Sequence, residues 1–341
     1  MVQLTVAVPA YNAERYIRKC LDSMAGADAR LELIVVDDGS TDGTAAIVKA
    51  YAERYPGEVS LISKQNGGHG SVINTAIKMA KGRYFKVIDA DDWIIKENLS
   101  KVLDELEKTE ADVVFTGYHT VDKRGAVRGY LPQCQYTNQE IDIGRFMEAY
   151  NNIYECCSFW GVIYRTDFYQ GTKIELSENV FYDDQEYVTL PFAYVNSILI
   201  LPLYFYQYKI GDNSQSTSSC NQVKYIDHIE HVIRRLLAYR EAIPMPSIDR
   251  EEYFRKRLAW IAVSYLTVAL VKDHDRMRGY ARAEHFYEEM KITAPDIASG
   301  IKKKYYALLA LHHFHISAGW YQKFLDTGLY KKIRTCFIMR T

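Results

Sequence analysis

No excess of either charge marks this chain: 42 lysines and arginines stand against 43 aspartates and glutamates in 341 residues, a net charge of −1. A nucleic-acid partner therefore has no global electrostatic basis, and none is expected. No apolar run reaches the roughly 20 residues that a membrane-spanning helix needs. The longest apolar-rich segment, Leu258 to Val271, contains Ser264, Tyr265 and Thr267 and reads as a buried core helix. The opening Met-Val-Gln-Leu-Thr-Val-Ala-Val-Pro shows no basic stretch ahead of a long apolar one, so no signal peptide is expected and a strand begins at once. The six cysteines (Cys20, Cys134, Cys156, Cys157, Cys220 and Cys336) form no CxxC pair and no regular spacing. They read as reduced, mostly buried thiols of a cytoplasmic protein.

What is present is a globular composition, 48% hydrophobic and 25% charged. Tyrosine is in surplus, with 28 copies against 13 phenylalanines. It can stack on sugars and bases or build a rigid, half-polar core. The first third alternates strand and helix patterns. Strands are expected at Leu4–Val8, Leu31–Val36, Val59–Ser63, Tyr84–Ile88 and Asp112–Thr116, and helices at Ala13–Ala25, Asp42–Tyr55, Ser71–Ala80 and Leu99–Thr109. Such alternation implies an α/β fold with a doubly wound sheet, whose ligands sit at the carboxyl ends of the strands. Hairpin-like and irregular segments follow. From Val223 the chain reads as helix: Val223–Glu241, Arg250–Lys272, Met277–Lys291 and Pro295–His315. The expected division is a catalytic domain over residues 1–219 and a helical region over 220–341.

Three acidic clusters carry the functional argument. Asp37-Asp38 closes the second strand, where a carboxylate can accept a hydrogen bond from a nucleobase N–H; capping of the next helix is the alternative. Asp89-Ala90-Asp91-Asp92 closes the fourth strand. Three carboxylates in so short a span repel one another unless a cation or donors neutralise them. Hard oxygen ligands in this spacing suit Mg²⁺ or Mn²⁺ held together with a substrate's phosphate oxygens. The third cluster, Tyr182-Asp183-Asp184-Gln185-Glu186, is either a solvated face or the source of a general base.

With these residues in place, the chain resembles the family-2 inverting glycosyltransferases of the GT-A fold. The matching pieces are Val8-Pro9-Ala10-Tyr11-Asn12, Val35-Val36-Asp37-Asp38-Gly39-Ser40-Thr41-Asp42, Asn66-Gly67-Gly68 with Asn74, the Asp89–Asp92 cluster, Tyr182-Asp183-Asp184 and Pro202-Leu203-Tyr204. The resemblance implies a mixed, mainly parallel sheet with helices on both faces, and covers about residues 1–215. It implies that Pro9, Ala10 and Tyr11 line the base pocket beside Asn12, with Tyr11 stacking. Asp38, with Asp37 as second choice, binds the base, usually uracil. Asp89 lies near the ribose next to Ala90, and Asp91, with Asp92 as candidate partner, holds the metal and diphosphate. Asp184 is the base. The sequence departs from the family in four places. The acid pair is Asp183-Asp184 rather than Glu-Asp, Ile73 stands for an arginine, Ala76 for a glycine, and His69 for an aliphatic residue. Diphosphate contacts are then expected from His69, Lys64 or Lys209, with Asn66 and Asn74 in the same loop.

The expected partners are a nucleotide-diphospho-sugar donor and a glycan or lipid-linked glycan acceptor. A dinucleotide-binding oxidoreductase is disfavoured, because no glycine loop follows the first strand. A nucleotidyltransferase lacks its basic loop here, and intact acidic residues argue against an inactive sugar-binding relative. For residues 220–341, a cap over the acceptor side, a surface for homo-oligomers and a membrane-facing patch all fit. Lys302-Lys303-Lys304, the run Tyr305–Leu311, then Trp320, Tyr321, Phe324, Lys331, Lys332, Arg334 and Arg340 suggest contact of residues 301–341 with the inner face of the plasma membrane.

Overall fold

The computed structural model describes residues 1–212, 215, 216, 218–316 and 319. The chain divides into two compact units, Met1–Asp212 and Asn213–Thr341.

The first unit is built on a sheet whose strands are β1 (Leu4–Ala10), β2 (Leu31–Asp37), β3 (Val59–Ser63), β4 (Tyr84–Val87), β5 (Trp93–Ile94), β6 (Val113–Val121), β7 (Val127–Tyr130), β8 (Glu140–Ile141), β9 (Val162–Arg165) and β10 (Ile198–Lys209). They run in the order β3-β2-β1-β4-β9-β6-β10-β5, with β7 on β6 and β8 on β10. The long ladders are parallel: β1 with β2 and β4, β2 with β3, and β6 with β10. β9 runs antiparallel between β4 and β6. This is the mixed, mainly parallel α/β sheet of the GT-A fold.

Side-chain alternation divides β1 between the two faces. Leu4, Val6 and Val8 pack with Ile17, Cys20 and Leu21 of α1 (Ile17–Asp22), with Ile47 and Val48 of α2 (Thr44–Arg54), and with Val102, Leu103 and Leu106 of a helix over Leu99–Lys108. On α3 (His69–Met79), Val72, Ile73, Ala76 and Ile77 are buried. With α4 as the Leu99–Lys108 helix, the unit adds α5 (Ile143–Ile153), α6 (Thr166–Thr172) and the one-turn α7 (Asp184–Tyr187).

Ile73 is fully buried, so the position of the family's arginine belongs here to the core. The tyrosine surplus has a similar explanation in part. Tyr84, Tyr164, Tyr169, Tyr187 and Tyr206 are among the largest fully buried side chains. Tyr164 and Tyr84 donate their hydroxyls to the carbonyls of Tyr187 and Thr109 at 2.8 and 3.0 Å, which satisfies the polar tip inside the core.

The second unit is helical: α8 (Ser219–Lys224), α9 (Ile226–Ala242), α10 (Ile248–Thr267), α11 (Arg276–Thr293) and α12 (Pro295–His313). Ser247 and Asp275 cap α10 and α11 by accepting from the N–H groups of Arg250 and Arg278. The apolar segment from Leu258 forms the inner face of α10 and a π-helical turn, with Leu258, Ile261, Ala262, Leu266 and Leu270 buried. Among the described residues no helix is long and apolar enough to cross a membrane. Trp320, Tyr321, Phe324, Lys331, Lys332, Arg334, Arg340 and Cys336 lie outside the described residues. The other five cysteines are free thiols; Cys20, Cys156 and Cys157 are buried and Cys220 is exposed.

Candidate active site

Parallel strands that end together place their following turns side by side. Ala10 and Asp37 are register partners at the ends of β1 and β2, and the Asp89–Asp92 turn leaves β4, which pairs with β1 on the other side. Tyr11 projects from the first turn and is 55% exposed, open to a flat ligand, while Ala10 beneath it is buried.

Asp37, the last residue of β2, and Asp38 after it have different hydrogen-bond partners. Asp38 is buried, and its carboxylate accepts from Lys64 Nζ at 2.9 Å and from the N–H groups of Gly67 and Gly68 at 3.0 and 2.8 Å. These bonds tie the glycine turn to β2, with Gly68 at φ +83°, a conformation that favours glycine. Asp37, also buried, accepts the Ser40 N–H on Oδ1 at 3.1 Å. Lys64 is likewise engaged, since it also donates to Ser71 Oγ and the Gln65 carbonyl.

Two asparagines in the same loops are structural. Asn12, at φ +49°, accepts the Thr41 N–H on Oδ1 at 2.9 Å and donates its backbone N–H to Ser40 Oγ at 2.9 Å, which clasps the turns after β1 and β2 together. Both ends of the Asn74 amide bind the backbone of Leu176, at 2.8 and 3.0 Å. Asn66 is exposed on the loop.

The cluster after β4 separates in the same way. Asp92 is buried; Tyr206 donates its hydroxyl to Oδ2 at 2.6 Å and the Lys209 N–H binds Oδ1 at 2.7 Å. Burial, reinforced by the charges of Asp89 and Asp91, raises its pKa well above the usual carboxylate range. Asp92 thus anchors the turn to β10 through both carboxylate oxygens. Ala90 is buried in the core below, leaving Asp89 and Asp91 partly exposed. Among the described residues no three His, Cys, Asp or Glu side chains converge as a complete ion cage. Two half-exposed carboxylates fit an ion such as Mg²⁺ or Mn²⁺, which takes one or two protein oxygens and completes its shell from water and phosphate.

Opposite this turn lies the segment from Leu176 to Tyr187, fastened to α3 by Asn74 and by the Asn179 N–H on the Gly67 carbonyl at 2.6 Å. Buried Glu186 accepts the N–H and hydroxyl of Ser177. Tyr182, at φ +70°, turns the chain so that Asp183 points inward and is buried, while Asp184 at the start of α7 is half-buried. His69 joins the two halves: Nδ1 lies 2.8 Å from Asp183 Oδ2 and Nε2 3.1 Å from Asp89 Oδ1. Burial lowers the imidazole pKa, but the charges and hydrogen bonds of Asp183 and Asp89 outweigh it, and the net result lies well above the usual histidine value.

Sequence reasoning passed over Lys86. It sits fully buried in β4 and donates to the carbonyls of Phe159, Trp160 and Val162 at 3.1, 2.8 and 3.0 Å. The signal was a lysine inside the apolar run Tyr84-Phe85-Lys86-Val87-Ile88. The turn it holds carries Phe159, whose ring lies 5.4 Å from that of His69, and Trp160, stacked on Tyr208 at 4.2 Å. Lys209 lies 3.8 Å over the Tyr16 ring and 3.5 Å from Asp212.

Strand-end turns, paired carboxylates and an exposed aromatic thus stand together at the carboxyl ends of β1, β2 and β4. Residues 5–169, just under half of the chain, match the model of glycosyl transferase family 2. The uncharacterised glycosyltransferase EpsJ of Bacillus subtilis (strain 168) is 27% identical over 216 residues, 62% of either chain. Poly(ribitol-phosphate) beta-N-acetylglucosaminyltransferase TarS of Staphylococcus aureus (strain MW2) is 31% identical over 216 residues, 61% of this chain and 36% of TarS. The chain thus spans less than two thirds of these relatives. The crystal structure of S. aureus TarS 1–349 with UDP-GlcNAc superposes with a TM-score of 0.63 at 21% identity, covering 92% of each chain, a likeness of fold.

Proposed function

We propose that the protein transfers a sugar, with inversion, from a nucleotide diphosphate donor to a hydroxyl of a glycan or lipid-linked glycan of the cell envelope. The arrangement that carries this reading is the link that His69 makes between Asp89, in the acidic turn after β4, and Asp183, next to Asp184. Tyr11 stacks on the base, Asp37 accepts from it, Pro9 and Ala10 form the floor, and Asp89 faces the ribose. Uridine is the favoured base, and the TarS structure with UDP-GlcNAc supports that choice.

Asp91 and Asp89 would hold Mg²⁺ or Mn²⁺, which supplies positive charge to the departing diphosphate. Asp184 takes the proton of the acceptor hydroxyl as that oxygen bonds to the anomeric carbon and the bond to the diphosphate breaks. The attack comes from the face opposite the leaving group, so the configuration inverts. We place the reaction at the cytoplasmic face of the membrane. The test is turnover of a panel of UDP- and GDP-sugars with Mn²⁺, with and without glycan acceptors. Failure of every donor, in the presence of a correctly folded chain, refutes the reading.

A further inference from the structure

We infer that His69 is a positioning residue: its ring ties Asp183 to Asp89, so that the acid pair receiving the acceptor's proton is aimed by the pocket that holds the donor. The inference rests on the reading above. The residue stands where the family has an aliphatic side chain, which offers neither carboxylate a partner.

Several independent contacts fix the ring. Both nitrogens face carboxylate oxygens, at 2.8 Å to Asp183 and 3.1 Å to Asp89. Phe159 covers it with ring centroids 5.4 Å apart. The backbone just before it is held by the Asn179 N–H on Gly67, and a side chain at Gly68 would meet the Asn179 backbone at 3.0 Å. The ring is 27% exposed, whereas Asp183 is only 4% exposed, so a carboxylate with little water relies on the imidazole for its charge-assisted bond.

Asp183 also follows Tyr182, which holds the left-handed φ of +70°. That conformation is strained for a tyrosine and persists only when its surroundings hold it. The bond from His69 to Asp183 is such a restraint. It leaves the neighbouring Asp184 presented at the start of α7 and links its direction to the state of Asp89.

Asparagine places an amide nitrogen near the position of Nδ1, and glutamine near that of Nε2. His69→Asn therefore keeps the Asp183 bond, His69→Gln keeps the Asp89 bond, and His69→Phe keeps only the packing. Thermal melts first establish that each variant folds. His69→Phe should lower kcat for transfer about 10- to 100-fold, the range for losing a charge-assisted bond. His69→Asn should recover most of that kcat but raise the donor KM about tenfold on the same basis. His69→Gln should keep the donor KM and remain slow. Indistinguishable Asn and Gln variants, or a Phe variant within about threefold of wild type in both constants, overturn the inference. If wild type turns over no donor, the enzymatic reading fails separately. Calorimetry of UDP with Mn²⁺ then decides: weakening of about tenfold in His69→Asn but not in His69→Gln supports the link, and equal affinities overturn it.

Discussion

Replacing Lys86 by methionine keeps the length of the side chain and removes the ammonium that closes the turn behind the site. Three N–H donors now meet three carbonyls, of which those of Phe159 and Val162 are buried. Each buried carbonyl left without a donor costs about 1–3 kcal/mol. Relief from burying a charge offsets part of that, so a net loss of about 2–4 kcal/mol is expected at neutral pH. Burial lowers the folded-state pKa of Lys86 to about 7, against the opposing charge of Asp89.

In the unfolded chain the same lysine titrates near 10.4, so between these values the unfolded state binds the extra proton. Wild-type stability should therefore rise with pH through this window while that of Lys86→Met does not. The gap should widen by up to about 3 kcal/mol between pH 7 and 9.5. Urea unfolding of the intact protein at both pH values, followed by tryptophan fluorescence, measures it. A variant as stable as wild type at both values refutes the clamp. A gap constant within about 0.5 kcal/mol means that the three carbonyls keep the ammonium charged throughout, and refutes the titration.

Asp91→Asn should abolish Mn²⁺- or Mg²⁺-supported turnover with the melting temperature unchanged; full wild-type activity in chelator would contradict the metal requirement. Asp184→Asn should lower transfer about 10²- to 10⁴-fold with donor binding nearly intact, and a crippled Asp183→Asn beside an active Asp184→Asn would transfer the base role to Asp183. Calorimetry with Mn²⁺ should rank UDP above GDP and ADP, and Asp37→Asn should erase that ranking; equal affinities in wild type remove the base-pocket assignment. Anionic liposomes at low salt should sediment the protein through residues 301–341, and unchanged pelleting after their deletion rejects the membrane patch.

The strand ends were legible because a β-branched run followed at once by acidic residues is a local pattern, and the Asp37 and Asp89 turns lie where that pattern put them. Which carboxylate of each cluster faces a ligand was not legible. Alternation of faces decides it only inside a strand, and β4 ends at Val87, two residues before Asp89. The sorting comes from distant partners instead. Tyr206 claims Asp92 across 114 positions, Gly67 claims Asp38 across 29, and Leu176 claims Asn74 across 102. A short-range reading has no access to such pairings. β5 and β8, two residues each, carry no periodicity to detect, and β6 extends past Thr116 because β7 and β10 pair with its far half.

These same pairings explain why the chemistry here would depend strongly on a divalent ion. A departing diphosphate needs positive charge, and a GT-A site can draw it from side chains, from a helix N-terminus or from a metal. The family's arginine position is Ile73, buried in the core. Lys64 is held against Asp38, and Lys209 lies over Tyr16 beside Asp212. The N–H groups of Gly67 and Gly68, which open α3, already point at Asp38 rather than at solvent. The imidazole of His69 is shared between two carboxylates of the protein itself. Position 73, Lys64, Lys209 and His69 are thus each placed in the core or held by an acidic or aromatic partner. On the proposed reading, an ion at Asp91 and Asp89 would supply the charge that the leaving group requires, and chelation should then stop transfer rather than slow it.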